Sequence, residues 1–288
     1  MKKIVAYFLL VFVVISCTQQ NDVFVPTQKD YSSQIQNLDK IYAEGLQSGI
    51  NALKTSITKT GQNELLINRS LIVQGTLKTF EGKYIITNDD SFSSNFKNIG
   101  NITISQNTQP SKFNINQFET FTSKQKEIAK PFIENLLQIE NMSVAKKLAK
   151  DFQNNVVEIS ISDNEKLELF ALGSATIALA DFLDSNQSDI IYEVLDNELN
   201  GSYKTNANAR LAKGCKISAK NVLAGGVVGL AVGGVKGGMA GCAGGTVVFL
   251  GLGTATGCVG GAVIGGALGF IEGALASAAA ELLTSCGH

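Results

Sequence analysis

Five cysteines, one histidine and a few acids are the residues of this 288-residue chain whose types could do chemistry. The histidine is His288, the last residue of the sequence, which removes a ready general base and the usual nitrogen ligand for metals. A serine nucleophile lacks its activating base for the same reason. Two acid pairs, Asp89 with Asp90 and Asp181 with Asp184, have no base or ligand cluster beside them in the sequence and read as loop or solvent-face residues. The many glycines lie in apolar helical spacing rather than in a strand–turn–helix ending in GK[ST], so they do not read as a phosphate loop. The expectation is a non-enzyme with no cofactor, no metal and no identifiable small-molecule substrate. A formal net charge of −1, with Arg69 and Arg210 as the only arginines, gives no basic patch for nucleic acid.

Chemistry is left to the cysteines: Cys17, and after a long gap Cys215, Cys242, Cys258 and Cys286. Cys17 follows a short positive start, Met1-Lys2-Lys3, and an unbroken apolar run from Ile4 to Ile15. That run suits a signal peptide better than a membrane span. It closes on Val14-Ile15-Ser16-Cys17 and gives way to the polar Thr18-Gln19-Gln20-Asn21-Asp22. The junction resembles the bacterial lipoprotein signal. The resemblance implies cleavage after residue 16, acylation of Cys17, and anchoring in the cell envelope, at the outer membrane or cell surface. Several acyl chains would hold the protein firmly, at about 0.8 kcal/mol per buried CH₂. Export also implies an oxidising compartment, where the other four cysteines can pair.

The chain that must carry these residues divides by composition. Residues 17–30 are a polar tether, 31–195 a helical domain, 196–213 an Asn-rich linker open to proteolysis, and 214–288 a glycine-rich segment. Ile35, Leu38, Tyr42, Leu46, Ile50 and Leu53 recur at helical period. The apolar runs at 65–67, 71–73, 84–86 and 102–104 read as short strands, a minor β content, and 88–101 as loop. Pro131 reads as the start or kink of a helix carrying Phe132, Ile133 and Leu136, and Val144, Leu148, Phe152 and Val156 mark the next. Ser162-Asp163-Asn164-Glu165 is a capping box, followed by a stretch to Leu183 apolar enough to be the buried central helix of a bundle.

In the last segment Gly225, Gly229, Gly233, Gly237, Gly241 and Gly245 fall at every fourth position, and so do Gly253, Gly257, Gly261, Gly265, Gly269 and Gly273. The single miss is Phe249, at the centre, where an antiparallel helical hairpin would turn. No charge lies between Lys236 and Glu272, which no flexible linker requires. Each glycine costs a helix about 0.8–1 kcal/mol relative to alanine. Close approach of two backbones offsets that cost, as in small-xxx-small membrane helices. A ladder is about 30 Å long as a helix, near the thickness of a bilayer core. The four cysteines fall near the same mirror point, and of their three pairings only Cys215–Cys286 with Cys242–Cys258 respects it. Two features argue against a lone two-helix span. Lys236 sits inside the first ladder, so either it lines a pore or a protein interior, or the hairpin lies on the membrane, or it stays in solution until triggered. A four-residue repeat also drifts about 40° per step on a helix, so part of the glycine stripe is left for self-association.

The ladder resembles the glycine-zipper hairpins of bacterial envelope lipoproteins. Its cysteine clasp resembles bacteriocin or halocin-type peptides released from a longer precursor. The expected fold is mainly α: a helical domain followed by a disulfide-clasped antiparallel glycine-zipper hairpin. The expected function is that of a lipid-anchored envelope protein whose hairpin associates with a lipid membrane and forms a homo-oligomer. A membrane-active toxin precursor is the alternative, and a soluble binding lipoprotein with a packed, non-inserting hairpin the third.

Overall fold

Helices form wherever apolar residues recur every three or four positions, and they dominate the architecture. The computed structural model describes residues 30–61, 64–80, 84–86, 102–105, 113–185, 218–244, 246–249 and 253–286. Met1–Tyr31 form one unit and Ser32–His288 another, and every element below belongs to the second. Residues 17–29 of the tether, the linker at 196–213, the acid pair Asp89-Asp90 and the loop expected at 88–101 lie outside the described residues, as do Cys17 and Cys215.

Helix α1 (Ser32–Ser56) buries Leu38, Tyr42, Leu46, Ile50 and Leu53 along one face, together with Gly45 and Gly49. Strands β1 (Ile57–Gly61) and β2 (Glu64–Ile67) follow, then helix α2 (Arg69–Phe80), strand β3 (Tyr84–Ile86) and strand β4 (Ile102–Ser105). β2 is the middle of a three-stranded antiparallel sheet, with Ile57 opposite Ile67 and Leu66 opposite Thr103. Leu71-Ile72-Val73 is therefore not a strand. It opens α2, with Ile72, Val73 and Thr76 buried and Leu71 37% exposed. Local β-branching favours a strand here, but burial at helical period against α1 wins: Gly75 of α2 lies directly over Ala52 of α1.

A short 3₁₀ turn (Ile115–Gln117) leads into α3 (Ser123–Leu136), α4 (Met142–Glu158) and α5 (Asp163–Asp184). Pro131 does not open α3. The helix begins earlier, at a capping box in which the Thr122 side chain accepts from Gln125 N–H and the Gln125 side chain accepts from Thr122 N–H. In α4 the buried face is Met142, Ala145, Ala149, Phe152, Gln153 and Val156, while Val144 is exposed. α5 is buried almost all round, from Lys166 to Ala180, and is the central helix of the layer, packed on α1 and α4.

The box at Ser162 caps α5: its Oγ accepts from Glu165 N–H, and its own N–H donates to Glu165 Oε2 at 2.9 Å. Hydrogen bonds from Ser162 and from the Thr122 hydroxyl hold the Glu165 carboxyl below its ordinary range. Ser162→Ala is expected to lower stability by about 1 kcal/mol, read as a shift in the urea midpoint at unchanged slope.

The last elements are α6 (Ala219–Gly244), β5 (Thr246–Phe249), β6 (Gly253–Thr256) and α7 (Gly257–Cys286). The connection at the mirror point is thus a β-hairpin rather than a bare turn, with Thr246 opposite Thr256 and Phe249 opposite Gly253. Thr246-Val247-Val248-Phe249 is β-branched and aromatic, which suits a strand better than the end of a helix. β5 also pairs with β3, Ile85 opposite Val248, so the tip is stitched to the first half of the chain. The chain is mainly helical, with two small antiparallel sheets among the described residues.

Candidate functional site

The seam between α6 and α7 is built from glycine. Gly225 faces Gly273, Gly229 faces Gly269, Gly233 faces Gly265 and Gly237 faces Gly261. At Gly229, Gly233 and Gly237 an added Cβ would collide with the carbonyl oxygen of the facing glycine, and the same holds in reverse at Gly265, Gly269 and Gly273. The helices touch backbone to backbone, a separation only residues without a side chain allow. Cα–H to carbonyl contacts belong to such a seam. At the open end, Asn221 Nδ2 donates to Glu281 Oε1 and ties α6 to α7.

The remaining ladder positions differ from the expected continuous stripe. Gly253 stands in strand β6, Gly257 begins α7, and Gly245 lies outside the described residues. Gly241 lies in α6, as does Lys236. Cys242 falls near the end of α6, Cys258 near the start of α7 and Cys286 at its last position, so the first two flank the β-hairpin end. No group of three or more metal-binding side chains occurs among the described residues.

The hairpin is docked on the helical layer mainly through α7, which packs on α1, α2 and α5. The Phe270 ring meets the Tyr42 ring edge to face, with centroids 6.1 Å apart, and lies over Gly226. Gly226 also lies against Leu179 of α5, and Ile271 fills the space over Gly49 of α1. The Tyr42 hydroxyl donates to the Val263 carbonyl at 3.3 Å, and burial pushes its ionisation well above the ordinary phenol range. Arg69 Nε of α2 forms an ion pair with Glu272, the acid that ends the uncharged stretch. Both side chains are largely shielded from water.

One small cavity, about 20 Å³, lies where hairpin and layer meet. Tyr42, Phe118 and Glu168 line it from the layer, and Leu230, Ala262 and Val263 from the hairpin. Glu168 is 7% exposed, and its Oε2 accepts from Gln125 Nε2 at 2.7 Å. Gln125 is fully buried, and the same amide nitrogen donates to the Glu165 carbonyl at 3.1 Å. Burial pushes the Glu168 carboxyl up to about 7, against the Gln125 hydrogen bond that favours its charge; the nearby Glu165 carboxylate adds to the rise.

Glu168 was missed in the sequence, and the signal that could have found it is an acid between Leu167 and Leu169 at the head of an apolar helix. Its neighbourhood was not legible, because Gln125 reaches it from α3. Of the acid pair Asp181 with Asp184, Asp181 forms an ion pair with Lys146 of α4. A second buried polar group joins α1, α4 and α5: Gln153 Nε2 donates to Ser174 Oγ at 2.9 Å and to Asp39 Oδ1 at 3.4 Å. Partial burial raises the Asp39 carboxyl there, opposed by hydrogen bonds from Ser174 and Gln153 and by Lys150.

Gly261–Glu281 of α7 is the one segment among the described residues long and apolar enough to cross a membrane, and 72% of that window is buried in the protein. The chain matches no family model, no curated protein and no solved structure.

Proposed function

We propose that this chain is a non-enzymatic, lipid-anchored cell-envelope protein whose glycine-zipper hairpin is a membrane-associating element, stored against its own helical layer. The lipid anchor is assigned to Cys17 and the clasp to Cys215–Cys286 and Cys242–Cys258, both from the sequence. The observation that carries the reading is the combination in α7 of a bilayer-length apolar window with a glycine seam. A soluble core helix needs neither that many glycines nor backbone contact along its length, since leucine and alanine pack well without the penalty in helix propensity. Lipid supplies the circumstance in which such a seam is favourable: the backbone is held helical there because unpaired peptide groups are too costly. Self-association would use glycines left over at the ends of the seam or released from it.

Burial of 72% of the window favours a second reading, in which the hairpin never leaves the layer and the protein is a packed envelope lipoprotein. Flotation with liposomes separates the two. Full-length protein is mixed with phosphatidylethanolamine–phosphatidylglycerol vesicles, with and without about 2 M urea to loosen tertiary contacts. The proposal expects protein lacking the Cys17 acyl chains to float once loosened, with the 218–286 region protected from protease. Recovery of all protein in the aqueous fraction under both conditions leaves the packed-hairpin reading standing.

A further inference from the structure

The geometry points to Glu168 as a proton-operated latch on the hairpin: neutral, it lets hairpin and layer close on each other, and ionised, it drives the two apart. The docking equilibrium is independent of the membrane reading; only the destination of the freed hairpin rests on it.

The placement is what makes a latch. Glu168 stands on the central helix α5, lines the cavity between hairpin and layer, and is 7% exposed. The hairpin side of the cavity is Leu230, Ala231, Gly234, Ala262, Val263 and Gly266, with no group to neutralise or solvate a carboxylate beyond backbone. From the 115–121 segment come Phe118, Thr120 and Phe121, from α1 the Tyr42 hydroxyl, and from α3 the uncharged Gln125. On α5 itself the nearest charges are Glu165, which repels, and Lys166, whose Nζ donates to the Val157 carbonyl at 2.6 Å. Among the described residues Glu168 has one hydrogen-bond donor, Gln125, and no ion-pair partner. The cavity measures about 20 Å³, and at 7% exposure the Glu168 side chain has little access to water.

The sign follows from the raised value. Burial pushes the docked Glu168 carboxyl from the ordinary 4.5 up to about 7, and undocking removes the hairpin's share of that burial, so the carboxyl falls back toward its ordinary range. The docked form therefore holds its proton more tightly, so its full stability is present below about 4.5 and is lost as pH rises through about 7. The hairpin is closed in acid and loosened in mild alkali. Between about pH 5.5 and 8.5 the docking constant is expected to fall by several-fold, and by about 30-fold if docking supplies the whole rise.

The chain has no tryptophan, so a single Thr120→Trp reporter at the cavity wall gives one fluorescence signal, from the place where hairpin and layer meet. Full-length protein carrying it is titrated with urea at both pH values, and the docked-to-undocked ratio is taken at one urea concentration within the transition. The expected result is a fall of about 5-fold to 30-fold in the parent and less than about twofold in Glu168→Gln, which fixes the neutral shape. An equal pH dependence in parent and Glu168→Gln overturns the latch. If circular dichroism shows Glu168→Gln to be unfolded, Gln125→Leu takes its place. It keeps the acid and removes its donor, so the pH midpoint should move upward, and an unmoved midpoint overturns the proposal. Flotation at both pH values runs alongside. A reporter that titrates as expected while no protein floats removes the membrane reading and leaves the latch intact.

Discussion

Gly233→Ala is expected to cost about 2–3 kcal/mol, while Gly234→Ala, one residue on, is expected to gain up to about 1 kcal/mol. The two substitutions have the same helix propensity and differ only in what the new methyl meets. At 233 it collides with the Gly265 carbonyl oxygen and comes within 2.8 Å of Gly269 Cα and 2.9 Å of Gly269 N. These are backbone atoms of a helix and cannot swing aside, so α6 and α7 must separate and lose contact above and below the lesion. At 234 the nearest atom is the Ala262 carbonyl oxygen at 3.6 Å, an ordinary contact, and the gain from replacing a helical glycine survives. Urea unfolding of the pair measures the difference. Equal midpoints would mean that the seam does not hold the hairpin together. Gly265→Ala should behave as Gly233→Ala does, and the double variant should cost less than the sum, because the helices separate only once.

Phe270→Ala is expected to be as severe, at about 3–5 kcal/mol, for a different reason. Its ring is 1% exposed and packs across the Tyr42 edge and the bare face of Gly226. Truncation leaves a void that α1 and α5 cannot fill without moving. The loss falls on the contact between hairpin and layer rather than on the seam within the hairpin. Tyr42→Phe is the control: it keeps the ring and removes only the bond to Val263 O, so about 0.5–1.5 kcal/mol is expected. If Phe270→Ala costs no more than truncation of Val232, which is 41% exposed, the docking described above is absent. The same variant should float with vesicles at lower urea than the parent.

Much of the helical framework was legible from spacing. The period in 35–53, the capping box at Ser162 and the buried run ending near Leu183 correspond to α1, the start of α5 and its body. Each depends on contacts within a turn or two, which the local sequence contains. Leu71-Ile72-Val73 misled because a short apolar β-branched run fits either period, and the packing of Gly75 over Ala52 decided for a helix. The β-hairpin at 246–256 was hidden by the regularity of the glycines around it. A packed hairpin was one of the alternatives, but its partners were not legible: a helix apolar on all sides names none, and Phe270 with Tyr42, or Arg69 with Glu272, are matches between distant segments. Gln125 could be assigned a cap from sequence, but not its second hydrogen bond to Glu168.

The pairing of β5 with β3 sets an order of events in folding. Ile85 and Val248 belong to opposite ends of the chain, and so do Tyr42 and Phe270. Contacts of such sequence separation close late, because the intervening loop must lose its freedom first. As the chain grows from its N-terminus, α1, α2 and α5 are finished while the faces meant for α7 are still bare. Tyr42 and Gly49 of α1 thus await Phe270 and Ile271, which are made much later. A nascent chain in that state is a client for chaperones and prone to aggregate, and only synthesis of the final helix ends the exposure.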